Sequence, residues 1–233
     1  MKPEFNLSSH WLSAAFWETV FARAYEQLPE ALPAILSNYK RCEAFRKGAG
    51  YNTGSISVAA GVCLYAVCRY FEVAQVVEVG TFIGKSTSSM ALAIGQSTSS
   101  GVLYTCDKDN ACFKPWDGIG CQVRSFPQKS STEMLAEVAK STGKIDLFYF
   151  DGRIMPPDIP QILQLSTPGT LYVFDDFEGT EKGVANIAAL RASLKGYVLI
   201  EPCAPALLER YGIQGRSLAA LLINTANLNV TAQ

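Results

Sequence analysis

The sequence has one histidine, His10, no Cys-x-x-Cys pair and no long run of charge of one sign. Each shortage excludes something. The seven cysteines, Cys42, Cys63, Cys68, Cys106, Cys112, Cys121 and Cys203, form an odd set without paired spacing. That argues against a disulfide framework and against a zinc site. Several lie in apolar runs, where cysteine acts as a small hydrophobe, and a reducing cytoplasm is the expected compartment. The lone His10 reads as a surface or helix-cap residue. Lys and Arg number 20 against 21 Asp and Glu, for a net charge of −1. Without a basic face, no nucleic-acid partner is expected. The first twenty residues lack the basic start, apolar middle and small-residue cleavage site of a signal peptide. The most apolar stretch, "SISVAAGVCLYAVCRYF" at 55–71, is short for a membrane span and contains Arg69. It predicts a buried core helix and no membrane partner.

What is present is enough chain for one sizeable core: 233 residues, 48% of them hydrophobic. Two parts are expected, a helical extension or lid over 1–48 and a single unit over 49–233. Residues 8–29 carry Trp11, Leu12, Ala15, Phe16, Val20, Phe21 and Leu28 at mostly helical spacing, with Ser8 or Ser9 as N-cap. Pro29 and Pro33 interrupt, and a second short helix runs to about Phe45. The aromatics Trp11, Phe16, Trp17, Phe21 and Tyr25 suggest an apolar lid over a pocket mouth or a dimer surface. Beyond residue 72, apolar runs bounded by turn residues fall at 75–79, 102–106, 121–125, 146–150, 170–174, 197–201 and 217–223. Helical patterns fill 85–95, 131–141, 157–166 and 181–195. Strands separated by helices predict an α/β, Rossmann-like, seven-stranded and mostly parallel sheet with both faces covered. No long helix separates the last two runs, so the last strand is expected to be antiparallel.

The first of these strands ends in "VVEVGTFIGKST", residues 76–87. A buried strand runs into a turn bracketed by glycines and then into a helix. In open α/β sheets ligands sit beyond the carboxyl ends of the strands, where strand order reverses. Gly80 lets the chain turn sharply, and Gly84 lets it approach closely at the helix start. The pattern Glu78-x-Gly80-x-x-x-Gly84 is not the dinucleotide fingerprint, and it is one residue short of a Walker loop. Glu78 at the strand end would repel a phosphate. A ligand with an ammonium or sulfonium centre fits better. The next strand ends in Asp107, a carboxylate able to accept two hydrogen bonds at once, or else a plain turn residue.

The E-x-G-x-x-x-G stretch and Asp107 together resemble motif I and the ribose-binding acid of the class I methyltransferases that use S-adenosylmethionine. The resemblance covers roughly residues 50–225. Within that group the chain looks like the small cation-dependent O-methyltransferases of the catechol and the macrolide- and aminocoumarin-sugar types. Tyr51-Asn52-Thr53-Gly54 lies where those enzymes cover the methionine part of the cofactor; a helix N-cap region is the plainer reading of it. "IDLFYFDG" ends a strand in Asp151, and "GTLYVFDDF" ends the next in Asp175-Asp176. The resemblance implies that Asp151, Asp175 and Asp176 bind Mg²⁺, for which oxygen ligands are suited. It implies cofactor contacts at Tyr51, Asn52, Gly54, Glu78, Gly80, Phe82, Gly84, Ser86, Asp107, Gln128, Ser130 and Asp151, with catalysis by Asp151, Asp175 and Arg153. Phe82, Tyr51 and Tyr149 are further candidates beside the sulfonium, and Phe113 and Trp116 beside the adenine; core packing is the alternative for each.

One position departs from the pattern. Where those relatives keep an acidic or histidine base, this chain has Arg153, which stays protonated. Arg153 could instead pair with the aspartates and stand where the cation would be. The alternative for the three aspartates is a structural ion-pair network with Arg153 and Lys182. Two reactions therefore remain open: methyl transfer to a small hydroxylated metabolite, and ring closure of the cofactor to azetidine-2-carboxylate, as in synthases built on this scaffold. A homodimer is expected for an enzyme of this size and type.

Overall fold

The computed structural model describes residues 7–50, 54–109, 116 and 120–228. Seven strands form one sheet: β1 (Gln75–Val79), β2 (Val102–Asp107), β3 (Gln122–Pro127), β4 (Leu147–Phe150), β5 (Leu171–Phe174), β6 (Tyr197–Ile200) and β7 (Ala220–Asn224). Their order is β3-β2-β1-β4-β5-β7-β6. The first five neighbours pair in parallel, and β7 runs antiparallel to both β5 and β6. Strand order reverses between β1 and β4, so a crevice opens beyond their carboxyl ends. The central strands are buried on both sides, which is why they read as continuous apolar runs. β3 is an edge strand with alternating exposure.

Eight α-helices are described. α1 (Leu7–Ala24), α2 (Leu28–Glu43), α3 (Val58–Tyr70) and α4 (Lys85–Ser97) precede β2. α5 (Ser131–Ser141), α6 (Asp158–Leu165), α7 (Lys182–Arg191) and α8 (Pro205–Arg210) follow β3. One core joins α1–α4 and α8 to Val76, Leu103, Leu147, Tyr149, Leu171, Val173 and Leu221. The other joins α5–α7 to Val77, Val79, Phe148, Phe150, Tyr172 and Phe174. Alternate residues of each strand thus feed opposite faces. Among the described residues no helix is long and apolar enough to cross a membrane, and the apolar 55–71 stretch is the buried helix α3.

The amino-terminal segment differs from the expectation in three ways. α1 already includes Leu7, so Ser8 and Ser9 lie within the helix rather than capping it. Pro29 occupies its first turn and Pro33 sits inside α2, a full 16-residue helix rather than a short one. Pro33 is exposed, so the hydrogen bond that its ring removes is lost on the solvent side, where water can replace it. The aromatics are mostly core rather than lid: Phe16, Trp17 and Phe21 are buried, while Trp11 and Tyr25 are exposed. Trp17 Nε1 donates to the Glu201 carbonyl (2.8 Å), and the Glu201 N–H donates to Ser13 Oγ (2.9 Å). His10 pairs with Glu201 as well. α1 is therefore stitched to the segment after β6. The late strand also starts three residues after the expected 217. The chain there is held otherwise, with the Phe177 N–H donating to the Leu218 carbonyl (3.1 Å).

Candidate active site at the carboxyl edge of the sheet

β1 delivers the glycine turn. Gly80 has φ +99°, and a Cβ there would lie 2.9 Å from the Gly152 nitrogen. The two loops interlock: the N–H groups of Gly80 and Thr81 donate to the Cys106 carbonyl, and those of Asp151 and Gly152 donate to the Val79 carbonyl. The ends of β1, β2 and β4 are thus one rigid unit. Phe82 and Gly84 also have positive φ, so the turn is built as expected.

Asp107 closes the second strand. Its Oδ2 accepts the Phe82 N–H (2.7 Å) and its Oδ1 the Asp109 N–H (2.9 Å). A carboxylate of this kind suits a diol because it can accept two hydrogen bonds at once. Glu78 is different. It has no exposed surface. Its carboxylate accepts from Ser86 Oγ, Thr87 Oγ1 and Thr105 Oγ1, each at 2.5 Å. Burial pushes its pKa up to about 7, against the lowering effect of the three hydroxyls. Glu78 and Ser86 lock the turn to the start of α4, and neither lines the cavity. The helix start is covered too: the Trp116 indole lies over Gly84, where a Cβ would come within 2.3 Å of it. Trp116 Nε1 donates to Ser125 Oγ (2.8 Å). An indole seated there leaves no open helix end for a pyrophosphate.

A cavity of about 990 Å³ lies on this edge. Among the described residues its walls include Gly54, Gly80, Phe82, Asp107, Ser130, Asp151, Arg153, Asp175 and Asp176. Those predicted residues are brought together. Gln128 is in left-handed backbone after β3 and is not in the wall. Ser130 caps α5 in a reciprocal pair with Glu133. Tyr149 is buried beneath the site, and no hydrogen-bond partner of its hydroxyl is found among the described residues. Tyr51, Asn52 and Phe113 lie outside the described residues. No described residue of α1 or α2 lines the cavity.

Asp151 and Asp175 follow the paired strand ends Phe150 and Phe174, which sets them side by side. Burial pushes Asp151 up to about 7, with the charge of Asp175 adding to it and Lys182 offsetting. Burial and the neighbouring Asp176 push Asp175 up to about 6. Lys182 Nζ stands 2.7 Å from Asp151 Oδ1 and 3.0 Å from Asp176 Oδ2. Burial disfavours its charge, but the two carboxylates more than restore it, so the ammonium is held more firmly than usual. Lys182, not Arg153, is the counterion; Arg153 is exposed and has no ion pair among the described residues. Among those residues no group of three or more His, Cys, Asp or Glu side chains is disposed to hold a metal ion.

Two residues escaped the sequence reading. Asn186 on α7 accepts the Ile154 N–H (2.9 Å) and donates to the Gly152 carbonyl (2.8 Å), fixing the loop that carries Arg153. Tyr39 of α2 reaches Ser89 Oγ of α4 (3.2 Å), and its hydroxyl occupies the space above Gly61. Neither carries a local sequence signal, because each works across a long stretch of chain.

The comparisons agree with the fold. Residues 77–177 match the family described as a methyltransferase domain. That span is less than half of the chain, and in fold the chain is similar to small O-methyltransferases. One similar structure is the O-methyltransferase TomG of Streptomyces achromogenes, involved in tomaymycin synthesis and solved with S-adenosylmethionine. It is 19% identical with a TM-score of 0.59, over 83% of this chain and 88% of that one. Another is an O-methyltransferase of Bacillus cereus solved with S-adenosylhomocysteine, 14% identical with a TM-score of 0.55, over 83% and 89% of the two chains. At such identities the likeness is one of fold. No curated protein matches the chain at a significant level.

Proposed function

We propose that this protein is a methyltransferase that moves the methyl group of S-adenosylmethionine to a hydroxyl oxygen of a small metabolite. The observation that carries this reading is the sharing of one cavity by Gly80, Asp107, Asp151 and Asp175. Gly80 and Phe82 form the floor for the cofactor, and Asp107 takes its ribose hydroxyls. The acceptor oxygen lies towards Asp151 and Asp175. In the reaction a C–O bond forms, the C–S bond breaks, and sulfur keeps its electron pair as a neutral thioether. The hydroxyl proton passes to a carboxylate of the Asp151–Asp175 pair, whose affinity for protons near neutral pH suits a general base. Holding the two reactants in line accounts for most of the remaining rate.

The size and openness of the cavity support transfer over cyclisation. Some 990 Å³, rimmed by exposed Arg153, Met155 and Arg216, is the upper range for a small-molecule site. It leaves room for an acceptor beside the cofactor. Ring closure to azetidine-2-carboxylate requires a sealed pocket of cofactor size. Cys63, Cys68, Cys106, Cys121 and Cys203 are free thiols, which supports a reducing cytoplasm, and we assign the working form as a homodimer. The test is incubation of the purified protein with S-adenosylmethionine, alone and with a panel of catechols and hydroxylated sugars, read by mass spectrometry. S-adenosylhomocysteine with a methylated panel member is the expected result. Methylthioadenosine accumulating without any acceptor would replace this reading by cyclisation.

A further inference from the structure

The three carboxylates beyond β4 and β5 are arranged around an ammonium group that the chain itself supplies. Phe150 and Phe174 are register partners, so Asp151 and Asp175 leave the sheet together. Asp176 turns back with φ +51°. Gly183 then packs on the backbone of that turn: a Cβ there would fall 2.0 Å from the Asp175 carbonyl oxygen and 2.8 Å from the Asp176 carbonyl carbon. Only a glycine at the second position of α7 allows this approach. It brings Lys182, one residue earlier, over the carboxylates. Nζ lies 2.7 Å from Asp151 and 3.0 Å from Asp176.

A divalent cation does not fit this arrangement. Mg²⁺ demands near-octahedral oxygen ligands at about 2.0–2.1 Å. One oxygen each of Asp151 and Asp176 already faces the ammonium, and a second cation beside it would be repelled. We propose that Lys182 is the resident cation of this site, in the place where the cation-dependent relatives keep a metal, and that the protein takes up no divalent ion there. Two of the three ammonium donors serve Asp151 and Asp176, and the third is left for an oxygen in the cavity that Lys182 lines. Given the methyl-transfer reading, that oxygen is the acceptor's, and the ammonium stabilises it as it loses its proton.

The test uses the full chain with Mn²⁺ as probe, followed by electron paramagnetic resonance of the free ion. The wild type is expected to bind no Mn²⁺ into the millimolar range. Lys182→Ala, which frees the carboxylates, is expected to bind one Mn²⁺ at least about tenfold more tightly. Lys182→Gln, which keeps the bulk and loses the charge, is expected to do the same, and circular dichroism checks that both are folded. A wild type that binds one Mn²⁺ below millimolar concentration overturns the proposal, whatever the variants do. So does a pair of folded variants that gain nothing, since Lys182 would then not be what holds the place. Calorimetry of S-adenosylmethionine binding in EDTA, on the same samples, separates the two readings: wild type that fails to bind the cofactor sinks methyl transfer and leaves the Mn²⁺ result standing.

Discussion

Glu78, the last residue but one of β1, has no exposed surface and three hydroxyl donors on its carboxylate. Its folded-state pKa is raised from 4.5 to about 7. Between those values the folded chain holds a proton that the unfolded chain has released. Stability from this group is therefore fully present below pH 4.5 and is lost as pH rises towards 7. Glu78→Gln is expected to flatten that part of the curve, by on the order of 1–3 kcal/mol across the window. Thermal melts of wild type and variant at pH 5 and pH 7.5 measure the difference; parallel curves would show that Glu78 is ionised throughout. Asp151 makes a separate case. Asp151→Asn keeps the size and removes the base, so kcat is expected to fall about 100-fold or more while cofactor affinity, measured by calorimetry, stays within a few-fold. Equal losses in both would place Asp151 in binding rather than proton transfer.

Elements meet at this site through glycines. The start of α7 touches the β5 turn at Gly183. Alanine is a better helix former than glycine, so propensity alone predicts that Gly183→Ala stabilises. Packing predicts the reverse, because the new methyl would strike a backbone carbonyl that cannot rotate away. The expected loss is about 3 kcal/mol, or a fall in Tm of roughly 6–12 °C for a chain of this length. Gly143→Ala, where a Cβ meets nothing within 4 Å, is the control and is expected to shift Tm little. A Gly183→Ala protein with unchanged Tm would mean that α7 can slide, and the Lys182 geometry would slide with it.

At the scale of the whole molecule the amino-terminal helices are structural. Val20, Phe21, Ala31 and Ile35 have no exposed surface and share a core with α3, α4 and β1. Tyr39 and the Glu43–Lys85 pair (2.6 Å) tie α2 to α4. A chain lacking residues 1–44 would leave α3 uncovered on one side. It is expected to lose its cooperative melt, seen by circular dichroism. A truncated chain that still melts sharply and binds cofactor would restore the reading of 1–48 as a separable lid.

The sheet was legible in the sequence because its signals are local. Six of the seven strands begin within one residue of the apolar runs that announce them, since a strand buried on both faces must be apolar along its length. The glycine turn after β1, Asp107, and the aspartates after β4 and β5 were legible for the same reason: the carboxyl end of a strand is a place the sequence can mark. What only the tertiary structure decided is which side chains meet. Glu78 and Ser86 turn to each other instead of the cavity, Trp116 covers Gly84, and α1 and α2 join the core. Lys182, not Arg153, answers the carboxylates. Periodicity says which face of an element is apolar, but not which distant residue arrives beside it. Arg153 is near Asp151 in sequence, yet among the described residues it is exposed and makes no ion pair with the carboxylates. Lys182 is thirty-one positions further on and arrives because a glycine lets its helix close against the strand.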